Sequence, residues 1–314
     1  MSIERIKTDG PGSESWKALR KNYIGGSDSA AIMGMNPFSS QYALWAEKVG
    51  KIPAFEGNIA TKVGSYLEEL VAQMWCEETG KTVRRENLSY VNSDYPFAIA
   101  NIDRKVVGED AGLEIKTTSA LRMKAFRNGE YPENYYCQCM HYLAVTGYKK
   151  WYLAVLIGNS EFLTFEIRRD EEEIRALMDT EKAFWNTFVL TGNHPPIDGS
   201  DATKEAIEEE NDGQPRYSGE ISLPGFEVLL SERDALTKNI KVIEERKGEI
   251  ENQLRQAMGI AENAVCGKYS ASWKNQQRTT FDWKTYEKDH PMYDLSAYKK
   301  ISESRVLRIT EKKK

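Results

Sequence analysis

The chain has 314 residues, 40% hydrophobic and 29% charged, enough for one large domain with an appendage. Its net charge is −5, but 12 Lys or Arg against 6 Asp or Glu from Cys266 to Lys314 make that end +6 and leave −11 for residues 1–265, so average charge does not exclude a polyanionic partner. Cysteines at 76, 137, 139 and 266 form no C-x-x-C pair and only three histidines accompany them, which argues against zinc, an iron–sulfur cluster or a disulfide framework; with no signal-like start and no apolar run of about 18 residues, a soluble cytoplasmic protein is expected.

Near the N-terminus, Arg20 precedes Ile24-Gly25-Gly26-Ser27-Asp28. Ser27 or Asp28 is expected to cap a helix running through Ala30 to Met33. Glycines before a helix N-terminus with an arginine nearby form an anion site, although the same tetrapeptide is also an ordinary loop-to-helix junction. Residues 61–79 read as an amphipathic helix stopped by Gly80, with Val63, Tyr66, Leu67, Leu70, Val71, Met74 and Trp75 on its apolar stripe. Glu68 lies beside that stripe, four residues after Gly64, which permits close approach of another backbone. That position puts Glu68 within reach of a metal, whereas Glu69 reads as surface charge.

The apolar run Phe97-Ala98-Ile99-Ala100 leads into Asp103, and the turn Gly108-Glu109-Asp110-Ala111-Gly112 precedes the return strand Leu113-Glu114-Ile115-Lys116. Alternation along a strand puts Glu114 and Lys116 on one face and Leu113 and Ile115 on the other. Two carboxylates a few Å apart repel unless a cation lies between them, and such oxygen donors suit Mg²⁺. The same spacing also describes a solvated hairpin with a cross-strand ion pair.

Further along, Arg122, Lys124, Arg127, Lys149 and Lys150 could follow a DNA backbone or simply form a solvated face. Residues 132–146 read as a helix closed by Gly147, with Tyr135, Cys139, Tyr142 and Leu143 inward and Gln138 one turn from Tyr142. Two strands, 151–157 and 162–168, precede a helix at 171–189 capped by Asp170 that covers the sheet. Residues 1–197 form the expected core, 198–224 an acidic linker, and 225–314 a helical arm with a small basic tail at 301–314. In the arm, Leu229, Leu236, Ile240, Ile243, Ile250, Leu254 and Ala257 follow a heptad interrupted at Arg233 and Lys247, pointing to a coiled coil or helical hairpin. Residues 265–273 and 279–283 read as short strands or turns.

In order and placement, Gly64-x-x-x-Glu68, Asp103, Glu114-Ile115-Lys116 and Gln138-x-x-x-Tyr142 resemble the YqaJ-type phage recombination nucleases, lambda-exonuclease-like members of the PD-(D/E)XK superfamily. The match spans about residues 14–190, with Ile102 where the superfamily name has proline. The resemblance implies an α/β, restriction-endonuclease-like core with a central mixed β-sheet flanked by helices. It further implies that Glu68, Asp103, Glu114 and the Ile115 carbonyl hold one or two Mg²⁺ or Mn²⁺ ions, that Lys116 and Gln138 are catalytic with Tyr142 orienting, and that Arg20 and Ser27 receive a DNA 5′-phosphate. The implied activity is 5′-to-3′ exonuclease resection of double-stranded DNA ends to 3′ single strands, acting with a single-strand annealing protein and as a homo-oligomer, with relatives forming rings of three. An internally cutting endonuclease of the same superfamily and a non-catalytic DNA-end or partner-binding module are the alternatives.

Overall fold

The computed structural model describes residues 2–10, 12–277 and 279–292. They divide into two units, Met1–Arg216 and Tyr217–Lys314. The first begins with β1 (Ile3–Lys7), α1 (Glu14–Lys21), β2 (Ile24–Gly25), α2 (Gly26–Ile32), α3 (Gln41–Val49) and the long helix α4 (Ile59–Thr79). Strands β3 (Val83–Arg85), β4 (Leu88–Asn92), β5 (Tyr95–Asn101), β6 (Arg104–Val106) and β7 (Ala111–Thr118) follow. A 3-10 segment, Ala120–Gly129, then leads to α5 (Glu133–Thr146), β8 (Lys150–Ile157), β9 (Glu161–Arg168), α6 (Glu171–Phe184) and α7 (Asp201–Glu210).

The strands make two sheets, ordered β1-β4-β5-β2 and β3-β6-β7-β8-β9. Each mixes directions, with β2 parallel to β5 and β7 parallel to β8. The mixed α/β architecture expected from the sequence is therefore present, divided between two sheets. β7 and β8 are covered on both faces, the usual fate of a parallel pair. On one face Leu113, Ile115, Tyr152 and Ala154 meet Val71, Ala72 and Trp75 of α4; Trp151, Leu153 and Val155 point the other way, into the main core with α5. The period-2 alternation read from Leu113 to Lys116 holds.

Two helices differ from expectation. α4 starts at an Asn58 capping box and ends at Gly80 in the left-handed conformation, but of its predicted stripe only Val71 and Trp75 are buried, while Val63, Tyr66 and Leu70 are exposed. Only the C-terminal half of the helix buries apolar side chains against β7 and β8. α5, in contrast, is buried at every position from Cys137 to Thr146, because α2, α6, β4, β5 and β8 all touch it. A helix covered on all sides needs a partner for each polar group. His141 finds two: Nδ1 is 2.9 Å from Glu181 Oε1 and Nε2 is 3.0 Å from the Ile99 carbonyl. Ser29 of α2 donates to the same carboxylate at 2.5 Å. Burial works against the imidazolium, but Glu181 and the Ile99 carbonyl hold His141 above its ordinary pKa.

The expected linker also contains structure. Ser200 caps α7 by accepting from Thr203 N, and buried Thr203 donates to Ser40 Oγ at 2.7 Å, while Tyr42 donates to Glu210 at 2.8 Å. The acidic composition of 198–224 thus hides a helix whose small residues, Thr203 and Ala206, fit against α3, and the first unit runs to Arg216. The second unit contains α8 (Phe226–Met258), a hairpin of β10 (Asn263–Cys266) and β11 (Tyr269–Ser272), and α9 (Trp283–Asp289). The hairpin matches the reading of 265–273, whereas 279–283 is no strand: Asp282 caps α9 through Thr285 N. The basic tail at 301–314 lies outside the described residues. Among the described residues no helix is long and apolar enough to cross a membrane.

Two outcomes follow from this packing. A Cβ on Gly112 would stand 2.3 Å from the Trp151 ring, so Gly112→Ala is expected to lower stability by about 1–3 kcal/mol in urea denaturation. Because the folded pKa of His141 is raised, its contribution is fully present below pH 6.5 and is lost as pH rises through the folded value. Chemical denaturation of His141→Gln across that range should show lower stability at acid pH and a smaller decline toward alkaline pH than the parent chain.

Candidate active site

The chain leaves one sheet at the end of β5 and enters the other at β6, and Asp103 occupies the bend between them. It does not sit on a strand, as the hairpin reading had it. This corner position lets its side chain lie across the start of β6 and accept a hydrogen bond from Ile115 N at 2.9 Å. Glu114, buried to 2% exposure, projects from β7 toward α5. Its Oε1 accepts from Gln138 Nε2 at 2.7 Å and meets Lys116 Nζ at 2.6 Å, while Oε2 is buried with no hydrogen-bond partner. Asp103, Glu114, Lys116 and Gln138 are thus brought together, from a bend, a strand and a helix.

The electrostatics are those of two anions confined together. Burial and the facing Glu114 carboxylate push Asp103 well above the usual carboxylate range, and burial pushes Glu114 up as well, against the pull of Lys116. Burial opposes the charge on Lys116, yet Glu114 and Asp103 keep the ammonium strongly favoured. An orphaned, buried carboxylate oxygen beside a second, half-buried carboxylate is a donor set suited to a hard cation. Mg²⁺ ordinarily takes one or two protein carboxylates and completes its shell with water or phosphate oxygens. Among the described residues no three His, Cys, Asp or Glu side chains are grouped to hold an ion by themselves.

The third expected ligand, Glu68, is engaged elsewhere. Arg104, almost fully buried at the start of β6, pairs with Glu68 and, at 2.9 Å, with Glu69, and Arg85 reaches Glu68 at 3.2 Å. Glu69 is accordingly a partner of a buried arginine, where its position on the helix suggested a plain surface charge. Glu68 still acts on both site carboxylates through its field. Gly64 faces a side chain where another backbone was expected: a Cβ there would lie 3.2 Å from Thr117 Oγ1 of β7.

A second cluster forms around α2. Arg20 Nη2 donates to Ser27 Oγ at 2.9 Å, lies 3.5 Å from Asp28 Oδ1, and its guanidinium stacks over the Trp16 ring. Neither Ser27 nor Asp28 is the cap. Gly25 occupies that position, and Asp28, three residues on, reaches back to accept from Gly25 N at 2.9 Å. Buried Lys48 of α3 pairs with Asp28 at 2.7 Å and donates to the Arg20 and Tyr23 carbonyls. Despite burial, Lys48 and Arg20 hold the Asp28 carboxyl below its usual value. Tyr142 connects the two clusters: its hydroxyl accepts from Gln138 Nε2 at 2.9 Å, and its ring lies so close to Gly26 that a Cβ there would be 2.5 Å away.

Sequence reasoning missed Arg104, Lys48, His141 and Glu181, and gave Asp28 only a capping role. Each owes its role to a partner far along the chain, and only burial of α5 offered a signal, through the polar residues within its apolar sequence. The basic track is partly neutralised: Lys150 pairs with Glu109 at 2.7 Å and Lys149 lies 3.8 Å from Asp110. Arg122 caps the exposed Phe38 ring at 4.6 Å.

Residues 15–149, which contain both clusters, match the model of the YqaJ-like viral recombinase domain. The uncharacterized protein YqaJ of Bacillus subtilis (strain 168) is 36% identical over 287 residues, covering 88% of each chain. Among solved structures, an alkaline exonuclease (LHK-Exo) from Laribacter hongkongensis aligns with a TM-score of 0.48 at 20% identity, covering 58% of this chain and 94% of that one. A phage-related exonuclease from Haemophilus somnus 129PT aligns at 0.41 and 14%, covering 56% and 99%. With identity of this order to the Bacillus protein sustained over nearly its whole length, and the domain match falling on the residues that converge at Asp103 and Glu114, the chain belongs to the YqaJ-like viral recombinase family.

Proposed function

We propose that the chain is a metal-dependent deoxyribonuclease that resects linear duplex DNA from its 5′ ends, leaving 3′ single strands for a single-strand annealing protein. The observation that carries the hydrolytic reading is the meeting of the buried Glu114 carboxylate, one oxygen unpartnered, with the half-buried Asp103 carboxylate beside an ammonium. A solvated hairpin with a surface ion pair would not bury Glu114 or give it an amide partner on a neighbouring helix.

Asp103, Glu114 and the Ile115 carbonyl would hold Mg²⁺ or Mn²⁺, one ion or two. Bound there, the cation would polarise a phosphoryl oxygen and supply a water of lowered pKa. The chain's own groups set the geometry around it. Ile115 N holds Asp103 in place through the backbone of the strand that carries Glu114, and Gln138 fixes one oxygen of Glu114 while the other has no hydrogen-bond partner. The Lys116 ammonium, anchored on Glu114, orients the attacking water and offsets negative charge that grows on the phosphate in the transition state.

The 5′ polarity rests on the α2 cluster. Arg20 and Ser27 together offer a guanidinium and a hydroxyl to a terminal phosphate, and Asp28, saturated by Lys48 and Gly25 N, holds the guanidinium in position. Tyr142, against Gly26 on one side and Gln138 on the other, sets the separation between the terminal phosphate and the hydrolytic groups.

With end-labelled linear duplex, Mg²⁺ should support digestion and a chelator abolish it, while closed circular DNA stays intact; nicking of the circle would favour the endonuclease alternative. Lys116→Ala should retain DNA binding in a gel-shift assay and lose cleavage by roughly 100-fold or more. The parent chain should degrade 5′-phosphorylated ends faster than 5′-hydroxyl ends by about tenfold or more, the worth of one charge-assisted hydrogen bond. Arg20→Ala should erase that preference; an unchanged preference would remove the phosphate role.

A further inference from the structure

Helix α8 runs for 33 residues and leaves an apolar seam in solvent, with Leu236, Ile240, Ile243 and Ile250 each more than half exposed. Leu229, Leu236, Ile243, Ile250 and Ala257 recur every seven residues. Three residues before each stands a second series, Phe226, Arg233, Ile240, Lys247 and Leu254. Together they form the a (second series) and d (first series) positions of a heptad in constant register, apolar except at Arg233 and Lys247, a pattern that is buried only against another helix. Ion pairs along the helix, Arg246 with Glu249 at 2.7 Å and Arg255 with Glu251 at 3.3 Å, support the helix itself, and the two seam cations have neighbours of opposite charge on it as well, Arg233 with Asp234 at 2.9 Å and Lys247 with Glu251 at 3.8 Å.

The two cations at a positions decide which helix fits. In a parallel pair each a residue faces its own copy, so Arg233 would meet Arg233 and Lys247 would meet Lys247 inside the seam. In an antiparallel pair a faces d. One alignment overlaps the helix along its full length, and it sets Arg233 on Ile250, Ile240 on Ile243 and Lys247 on Leu236, with Phe226 on Ala257 and Leu254 on Leu229 at the ends. No cation then faces a cation. The aliphatic stems of Arg233 and Lys247 lie over branched side chains and their heads reach outward. Glu251, the neighbour of Ile250, offers the Arg233 head an opposite charge, and Glu232, one turn before Leu236, does the same for Lys247. A bulky residue faces a small one in each terminal Phe226–Ala257 layer, which keeps the helix ends at even spacing.

We infer that α8 pairs antiparallel with α8 of a second copy of this chain, forming a two-fold dimer in which every layer is made twice by the same residues. The self-complementarity of the cation positions is what commits the seam to a second copy: a partner of other sequence would have no reason to match their spacing in reverse. The two chains enter the pair from opposite ends of a rod about 50 Å long. This pairing does not depend on the nuclease reading, since it uses residues of the second unit alone.

The test uses the full chain. Light scattering on the purified protein should give a mass twice that of Ile243→Asp, which places carboxylates in the central layer of both copies, while the circular-dichroism melt of the first unit stays unchanged. Equal masses for the two proteins, or a threefold difference, would overturn the inference. Direction is read separately in a Cys266→Ser background. A mixture of Leu229→Cys and Leu254→Cys chains should form a disulfide-linked pair under mild oxidation, and Leu229→Cys alone should form none. Self-linking of Leu229→Cys without linking in the mixture would show a parallel pair and defeat the proposal.

Discussion

One hydrogen bond ties the two carboxylate-bearing segments side chain to backbone: the Ile115 amide donating to the Asp103 carboxylate. Asp103 stands where the chain crosses from one sheet to the other, and Ile115 lies on the strand that carries Glu114 and Lys116. The β6–β7 ladder, with Arg104 opposite Leu113, fixes the backbone of the bend against β7, and this bond fixes the carboxylate itself on the strand that carries Glu114. The bond also helps to keep an acidic side chain buried next to another. Confinement of like charges is costly in an apolar setting, so the fold supplies an amide, an ammonium and a glutamine to the same few atoms.

The second constraint is the burial of α5. Because sheets and helices cover it on all sides, its polar side chains are paired within the protein. Gln138 turns to Glu114, Tyr142 to Gln138 and Gly26, and His141 to Glu181 and Ile99. One helix thereby carries three separate links: to the acidic site, to the Arg20–Ser27 cluster, and to the core that joins α2 with α6. Displacement of α5 would disturb both clusters together, which is why a tyrosine in the middle of the helix is matched by a glycine on α2.

The acidic pair on α4 shows how burial redirects charge. Glu68 and Glu69 look like one functional and one surface residue by their place on the helix. A buried arginine needs compensation on every donor, and Arg104 draws both glutamates and the Asp103 carbonyl. The helix is thus tied to β6 immediately after the Asp103 bend, and Glu68 contributes to the site through its charge, held at one remove. The second unit has a different economy: α8 spends its apolar residues on a seam that the described residues do not cover, except near Leu254 and Met258.

Local patterns alone determined much of this protein. The alternation from Leu113 to Lys116, the helix stops at Gly80 and Gly147, the strands on either side of Gly158, the Asp170 cap and the α8 heptad are all properties of neighbouring residues, because backbone periodicity and capping act over a few positions. What tertiary structure decided was partnership. It placed Asp103 in a bend, gave Glu68 to Arg104, moved the cap of α2 from Ser27 or Asp28 to Gly25, exposed half of the α4 stripe and folded the acidic stretch after Ser200 onto α3. Hydrophobic patterning states that a face will be covered but not by what. A buried polar group takes whichever partner the packing brings near, and that partner can lie 163 residues away, as the Ser40 hydroxyl does from Thr203, or 20 residues away, as the Lys48 ammonium does from Asp28.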